Sequence, residues 1–344
     1  MTSRNTMTIL FTTLAFLAAG PLARAQDKPP LAVAFDRLMA KEYVVARGIV
    51  EPLAADGDAD AMHMLGYMEE RGLGGEKDLQ RALRLYADAA ARGSADAQFA
   101  LGELAFLGDG VKQDLERAAG WFDLASEQGH AQAKSRLGVM YAEGLWVEKS
   151  EARALALFNE AAELGDPGAQ YNMGVAHLVG RGDFAQDYEN AAGWFEKAAA
   201  QGSPDAQYNL ALLHDSNFLG ERDPQKTLKW MRAAADGGLP AAFVAMGLMH
   251  HDGRISTGDA ATTAQSAADW FEKAARAGEP QGQFFYAVAL AGGEGRPSDP
   301  TKALFWLKRA LKRPEVLSPE LRANAEKLKN DVEARIKGVS ALRQ

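Results

Sequence analysis

The sequence predicts an all-α protein built from about seven tandem helix–turn–helix repeats with a period of 36 residues. The first observation is a glycine that returns at nearly constant spacing: Gly57, Gly93, Gly129, Gly165, Gly202, Gly238 and Gly278. Successive glycines are 36 residues apart in four cases, 37 in one and 40 in one. The other two observations are amphipathic helix patterns that recur in register with this glycine. Such helix pairs bury their apolar faces by stacking on their neighbours, which makes an α-solenoid.

The first helix of each repeat starts just after the glycine. A small residue stands four positions after the glycine and a large apolar residue eight positions after it, as in Ala206 and Leu210 after Gly202. Positions four apart lie on one face of a helix, so we expect that face to be buried. The ninth position is glycine or alanine in every repeat, which lets a partner helix approach closely.

The second helix starts at a residue whose side-chain oxygen can cap a helix N-terminus. The predicted caps are Asp78, Asp114, Ser150, Asp187, Asp223, Thr263 and Asp299. Seven positions after each cap stands a large apolar residue: Leu85, Trp121, Leu157, Trp194, Trp230, Trp270 and Trp306. We expect these residues, Trp194 and Trp230 above all, to be buried between helices. The repeat glycine then ends the helix in the left-handed conformation.

The chain divides into five predicted segments. Residues 1–25 form a signal peptide, 26–33 a linker, 34–56 an N-terminal capping helix, 57–313 the repeats, and 314–344 a C-terminal capping helix and tail. The last helix is predicted to open at Ser318-Pro319-Glu320, with apolar residues on one side. A short coiled coil is the alternative for that helix.

The first 25 residues resemble a secretory signal. Arg4 precedes an apolar stretch over residues 7–19, and Ala23-Arg24-Ala25 offers a small-residue cleavage site. We therefore expect a periplasmic or secreted protein, with an uncleaved N-terminal anchor as the alternative. The sequence has no cysteine, which excludes a lipid anchor on a cysteine after the apolar stretch and any disulfide in the fold.

Charge excludes one class of partner. The chain carries 38 basic and 46 acidic residues, and loss of Arg4 and Arg24 with the signal leaves 36 basic residues and a formal charge of −10. A nucleic-acid-binding protein needs a basic surface that releases counterions, so we expect no nucleic acid partner. After the signal, no apolar run reaches the 18 residues that a membrane span requires, so we expect no membrane span.

The repeats resemble Sel-1-like repeats, the α-solenoid relatives of tetratricopeptide repeats. Two units carry the resemblance: AQYNMG at 169–174 with NAAGWFEKAAAQG at 190–202, and AQYNLA at 206–211 with DPQKTLKWMRAAA at 223–235. The resemblance implies a right-handed α-solenoid and an adaptor or scaffold that binds a protein or peptide in its concave groove. Exported bacterial members are associated with envelope regulation, polysaccharide export and host contact. Some secreted members, linked to penicillin binding, carry a disulfide in every repeat, and this chain departs from them because it has no cysteine.

The usual catalytic motifs are missing from the sequence. It has no HExxH zinc helix, no GxSxG elbow, no GxxxxGK phosphate loop and no cysteine nucleophile. We therefore expect no enzymatic activity and no cofactor. A cell-envelope hydrolase acting on β-lactams or peptidoglycan is the alternative from another class, and a structural part of a polysaccharide-export assembly is a third.

Three histidines recur at one register. His177, His214 and His250 each lie twelve residues after their repeat's glycine, where the third repeat has Tyr141. A zinc or copper site would need three such nitrogens within about 2.1 Å of one metal, whereas packed helices lie about 8–10 Å apart. We interpret the register as an aromatic packing position and expect no metal.

A second aromatic row is the predicted partner-binding surface. Six residues after the glycine stand His63, Phe99, Tyr171, Tyr208 and Phe284, on the side of the first helix away from its buried face. Groove lining and packing between repeats are both open for this row. His251, beside the one enlarged loop, and Trp146, in a turn and outside the tryptophan register, are further candidate contacts. The alternative for Trp146 is a ring folded back onto its own repeat.

Signal cleavage gives the first testable prediction. The mature exported protein should start at Gln26, because Ala23 and Ala25 satisfy the small-residue requirement of the cleavage site. Intact-mass measurement on the exported protein checks this, and a mass that retains residues 1–25 would contradict it.

Overall fold

The computed structural model describes residues 28–256 and 258–341. Within these ranges the chain is all-α, with no strand and one 3₁₀ turn at Pro314–Val316. The helices are α1 Pro30–Met39, α2 Tyr43–Ala55, α3 Ala59–Arg71, α4 Leu79–Ala91, α5 Ala95–Leu107, α6 Leu115–Glu127, α7 Ala131–Glu143, α8 Glu151–Glu163, α9 Pro167–Val179, α10 Tyr188–Ala200, α11 Pro204–His214, α12 Pro224–Asp236, α13 Pro240–His251, α14 Ala260–Arg276, α15 Pro280–Gly292, α16 Pro300–Ala310 and α17 Pro319–Ala341. The predicted signal peptide lies outside the described residues.

The chain forms two compact units that divide after Gln98, inside α5. The first unit contains α1 to α4, of which α3 and α4 are the first repeat. The second unit contains the later repeats, each a pair of helices from α5/α6 to α15/α16, and ends in α17. Within it the second helix of one repeat packs on the first helix of the next, for example α10 on α11 and α14 on α15. The prediction of an α-solenoid of seven helix–turn–helix repeats is confirmed.

The N-terminal segment differs from its prediction. The single capping helix expected over residues 34–56 is two helices, α1 and α2, and α1 already starts in the expected linker at Pro30. The chain turns between them at Lys41, which takes a left-handed φ of 62°. Backbone N–H groups of Lys41 and Glu42 donate to the carbonyls of Leu38 and Arg37, so the end of α1 is hydrogen-bonded. The apolar pattern continues across this break, which is why the sequence alone reads as one helix.

Capping residues fix both helices of a repeat. The repeat glycines have φ between 82° and 97°, a range that favours glycine, and an Asp, Ser or His that follows the glycine caps the first helix in repeats one to five. The predicted caps of the second helices are confirmed except in the sixth repeat. There the cap is Asp259, which accepts a hydrogen bond from the backbone N–H of Thr262 at 2.8 Å, so α14 starts four residues early and has 17 residues.

One backbone hydrogen bond joins the two helices of most repeats. The capping residue of the second helix donates its N–H to the carbonyl twelve residues after the repeat glycine, as from Asp187 to His177 at 2.8 Å and from Asp223 to His214 at 2.9 Å. Because the donor and acceptor hold the same register in each case, this bond sets the angle at which the helices meet.

The tryptophan register is corrected by one residue. Trp194 and Trp230 are half-buried and lie beneath the ammonium groups of Lys197 and Lys229, at 3.7 and 4.3 Å from the ring centroids. The buried register is the next residue: Tyr86, Phe122, Phe158, Phe195, Met231, Phe271 and Leu307. Adjacent residues on a helix differ by about 100° in direction, so when both are apolar the pattern cannot decide which one faces inward.

Glycine on the first helix makes room for the buried ring on the second. A Cβ atom added at Gly174 would lie 2.5 Å from the Phe195 ring, and one added at Gly102 would lie 2.5 Å from the Phe122 ring. Where the first helix has alanine instead, as at Ala211, the buried partner is not aromatic but Met231 in the same cluster. The ring therefore requires glycine opposite it, because it packs directly on the backbone of the first helix.

The C-terminal helix α17 covers the last repeat. Ala325 and Val332 on α17 and Leu317 before it are buried in one cluster with Leu307 and Ala310 of α16. Helix α17 thus buries the apolar residues Leu307 and Ala310 at the end of the last repeat. Among the described residues, no helix is long and apolar enough to span a bilayer.

Candidate functional site

The predicted aromatic row lies against the buried rings of the second helices. His63 is 5.7 Å from Tyr86, Phe99 is 5.8 Å from Phe122 and Tyr171 is 5.9 Å from Phe195, measured between ring centroids. These near-equal distances in three repeats follow from the shared register. One side of the row therefore packs on the buried rings of the core.

Burial divides the row into two classes. Phe99 and Phe284 expose only 5% and 6% of their surface, whereas His63, Tyr171 and Tyr208 are half-exposed. The Phe99 ring also stacks on His130 at 4.7 Å, and His130 caps the first helix of the following repeat. Both phenylalanines thus serve packing between helices and have little exposed surface, although Phe284 also lines a cavity. Partner contact stays a prediction for His63, Tyr171 and Tyr208.

Tyr171 lies where the first helices of two repeats meet. It belongs to α9, and burial raises the pKa of its phenol, an effect increased by the negative charge of Asp205 and opposed by a hydrogen bond with Asn209. Asp205 and Asn209 both lie on α11, the first helix of the next repeat. The phenol therefore stays protonated at neutral pH and reaches polar groups on the neighbouring helix.

Tyr208 holds the same position one repeat later. Its half-exposed ring packs against a buried cluster that contains Met231 and Met246. Burial raises the pKa of its phenol, and the charge of Glu279 raises it further. Two phenols at one register on α9 and α11 are thus neutral hydrogen-bonding groups on otherwise apolar rings.

Trp146 is an exposed ring on an uncommon backbone. Its side chain is 62% exposed and its φ is 63°, in the left-handed region where a bulky residue is strained. The corresponding turn position is glycine, also with positive φ, in four other repeats: Gly74, Gly110, Gly182 and Gly295. The alternative in which the ring folds back onto its own repeat is wrong, because such a ring would be largely buried.

His251 and Phe284 come together at one cavity of about 210 Å³. His251 ends α13 and is exposed, while Phe284 forms part of the wall from α15. Sequence reasoning missed Glu294 at the rim of this cavity and Ala264 and Ala268 in its wall. The signal that could have found them is a pair of alanines where other repeats carry at least one larger residue.

The histidine register consists of three side chains, each with one ring nitrogen that lacks a partner among the described residues. These atoms are Nδ1 of His177, Nε2 of His214 and Nδ1 of His250. Burial lowers the pKa of His214, with a further contribution from the nearby Lys226, and burial also lowers the pKa of His250. His177 meets Phe184 edge to face at 5.0 Å. In the part of the chain that the structure describes, no three His, Asp or Glu side chains are grouped to hold a metal ion.

Comparison with protein families identifies the repeat. The family model described as Sel1 repeat matches residues 59–94, 95–130, 131–166, 167–203, 204–239, 242–279 and 280–313. Most of these segments begin two residues after a repeat glycine, so the family repeat and the repeat derived from the sequence are the same unit.

Two solved structures are similar to this chain. A Sel1 repeat protein from Oxalobacter formigenes is 28% identical, with 72% of this chain and 99% of that chain covered and a TM-score of 0.63. The protein c5321, a protective antigen of uropathogenic Escherichia coli with an SLR fold, is 24% identical, with 89% and 79% covered and a TM-score of 0.53. The second likeness shows the fold alone. No curated protein matches the chain.

The buried histidines predict a loss of stability in acid. Above the ordinary pKa of 6.5 neither the folded nor the unfolded chain binds protons at His214 and His250. Below it the unfolded chain takes up protons that the folded chain does not, so the free energy of unfolding falls, by up to about 1.4 kcal/mol per pH unit for each histidine.

The measurement compares the native protein with a His214→Tyr/His250→Leu variant between pH 7.5 and 5. Tyr141 and Leu290 occupy the same register in other repeats, so both replacements have a native precedent. The free energy of unfolding should fall more steeply with acidification in the native protein. Buried carboxyls with raised pKa, such as Glu103, act with the opposite sign in both proteins and cancel in the difference. Parallel curves would contradict the prediction.

Proposed function

The chain belongs to the Sel1 repeat family, and we propose that it is a non-catalytic scaffold whose first helices α9 and α11 bind a segment of a partner protein. Sel1 repeat proteins are generally protein–protein interaction scaffolds. One observation carries the finer proposal: Tyr171 and Tyr208 are half-exposed at one register on consecutive first helices.

The chemistry of tyrosine supports this assignment. A half-exposed phenol offers a large apolar ring and a hydroxyl that can donate or accept a hydrogen bond, which is why tyrosine is enriched in interface cores. Helices α9 and α11 are in contact, and packed helices lie about 8–10 Å apart. An extended peptide rises about 3.3 Å per residue, so side chains two or three residues apart could meet both rings.

The surroundings of the two rings supply polar contacts. Asn209, on the same helix as Tyr208, donates its side-chain N–H to the carbonyl of Asp205 at 2.9 Å and stays half-exposed. The Asp205 side chain is exposed. A partner segment that lies on this surface would thus meet aromatic rings together with amide and carboxylate groups, which favours a polypeptide with mixed side chains over a purely apolar ligand.

The proposed location is the periplasm or the cell exterior. It rests on the signal-like residues 1–25, with their apolar stretch and their cleavage site before Gln26. The partner is accordingly proposed to be a protein of the cell envelope, and intact-mass measurement of the exported form tests the location.

A double variant tests the binding surface. Tyr171→Ala with Tyr208→Ala should weaken partner binding by about 2 kcal/mol or more, because buried aromatic anchors dominate interface energies. The partner is first captured from envelope extract by the purified protein and identified by mass spectrometry, and its dissociation constant is then measured for each variant.

The control is Trp194→Ala with Trp230→Ala, which removes half-buried rings from the second helices of the same two repeats. This control should leave the dissociation constant within a factor of about two while it lowers stability. Unchanged affinity in the tyrosine variant, or an equal loss in both variants, would contradict the proposed surface.

A further inference from the structure

A small cavity lies between the sixth and seventh repeats. It measures about 210 Å³ and is lined by the end of α13 and by the middle parts of α14 and α15. Its wall is mainly apolar and includes the rings of Phe271, Phe284 and Phe285 and the side chain of Ala268. Two polar side chains, His251 and Glu294, complete it. The sixth repeat has the longest second helix among the repeats, since α14 has 17 residues.

The cavity exists because two neighbouring side chains on α14 are small. Ala264 and Ala268 stand fourteen and ten residues before the repeat glycine, and the same two positions hold Glu151 and Leu155 in the third repeat. Leu155 reaches the following turn, where a Cβ added at Gly182 would lie 2.5 Å from its Cδ1 atom. In the sixth repeat Ala268 stands at the position of Leu155 and lines the cavity instead.

Every other repeat fills at least one of these two positions with a larger residue. The pairs are Leu79 with Leu83, Leu115 with Ala119, Glu151 with Leu155, Tyr188 with Ala192, Pro224 with Leu228, and Pro300 with Leu304. In the fourth repeat, where the second position is also alanine, Tyr188 stacks on Phe218 at 4.2 Å. The double alanine is therefore specific to the sixth repeat.

We propose that this cavity receives one aromatic side chain of the partner protein, with a basic residue of the partner beside Glu294. The proposal rests on the proposed function, since it adds an anchor point for the same partner. An apolar cavity of about 150 Å³ holds a benzene ring, so the volume here suits a single aromatic side chain. The surrounding rings, 5.1 Å apart for Phe271 and Phe285 and 5.3 Å for Phe284 and Phe285, favour an aromatic occupant.

The rim provides the charge preference. Glu294 and His251 are exposed, and neither side chain has a hydrogen bond or ion pair with another described residue. The nearest basic residue along the chain, Arg296, is already paired with Glu272 at 2.7 Å and with Asp269. The Glu294 carboxylate is thus available to a cationic group, which favours a partner with a basic residue next to the aromatic one.

The test uses three short probes on the purified protein: acetyl-Phe-Arg-amide, acetyl-Phe-Glu-amide and acetyl-Ala-Arg-amide. Binding is measured by chemical-shift titration. Acetyl-Phe-Arg-amide should bind at least about tenfold more tightly than the alanine probe, since burial of an aromatic ring supplies most of the affinity. It should bind about threefold more tightly than the glutamate probe, and Glu294→Gln should remove that preference.

Two matched variants locate the site. Ala268→Leu places in the cavity the leucine that four other repeats carry at this register, and it should weaken binding of acetyl-Phe-Arg-amide at least tenfold. Ala192→Leu makes the same change at the same register in the fourth repeat and should leave binding unchanged. Thermal unfolding verifies that each variant is folded. If Ala268→Leu is unfolded, Ala264→Tyr, which copies the Tyr188 and Ala192 pair, replaces it.

Three results would overturn the inference: equal binding of the phenylalanine and alanine probes, unchanged binding after the cavity is filled, or an equal loss in Ala192→Leu. These results leave the proposed function intact if partner affinity still depends on Tyr171 and Tyr208. Conversely, if the affinity for the partner is unchanged by the loss of both tyrosines but falls with Ala268→Leu, the proposed surface is overturned and the cavity is supported.

Discussion

In five of the seven repeats, the geometry depends on the contact between a buried ring on the second helix and a glycine on the first, at Gly66, Gly102, Gly138, Gly174 and Gly247. Phe195 on Gly174 and Phe271 on Gly247 leave no room for a Cβ atom, which would lie 2.5 and 2.4 Å from the rings. Because the helices meet at backbone distance there, their separation and rotation are fixed together. In most repeats the hydrogen bond from the cap of the second helix to the first helix, as from Asp187 to His177, is a further constraint on how the helices meet.

This constraint also decides which aromatic residues remain for function. Once Phe195 faces inward, its neighbour Trp194 is turned to the half-exposed side under Lys197, and Tyr171 covers the edge of the Phe195 ring from the first helix. The core therefore leaves an aromatic but incompletely buried surface along the first helices. A scaffold needs such a surface, since rings held by the core lose little freedom when a partner binds.

Much of the fold follows from the sequence, because glycine spacing and cap residues have strong local causes. The tryptophan register was wrong because Trp194 and Phe195 are both apolar, and only the glycine opposite could have decided which one is buried. The cap Thr263 was wrong because Asp259 competes four residues earlier. The cavity was not predicted because it is marked by small side chains, Ala264 and Ala268, in place of larger ones. That difference is visible only when both positions are compared across all the repeats.

A double-mutant cycle on Gly174 and Phe195 tests the ring–glycine contact most directly. Gly174→Ala should lower the free energy of unfolding by about 1–3 kcal/mol despite alanine's helix preference, whereas exposed Gly193→Ala, with open space around it, should raise it by up to about 1 kcal/mol. Adding Phe195→Met, which reproduces the native Ala211–Met231 pair, should make the double variant at least about 1 kcal/mol more stable than the sum of the single effects predicts. Additivity within about 0.5 kcal/mol would contradict the account.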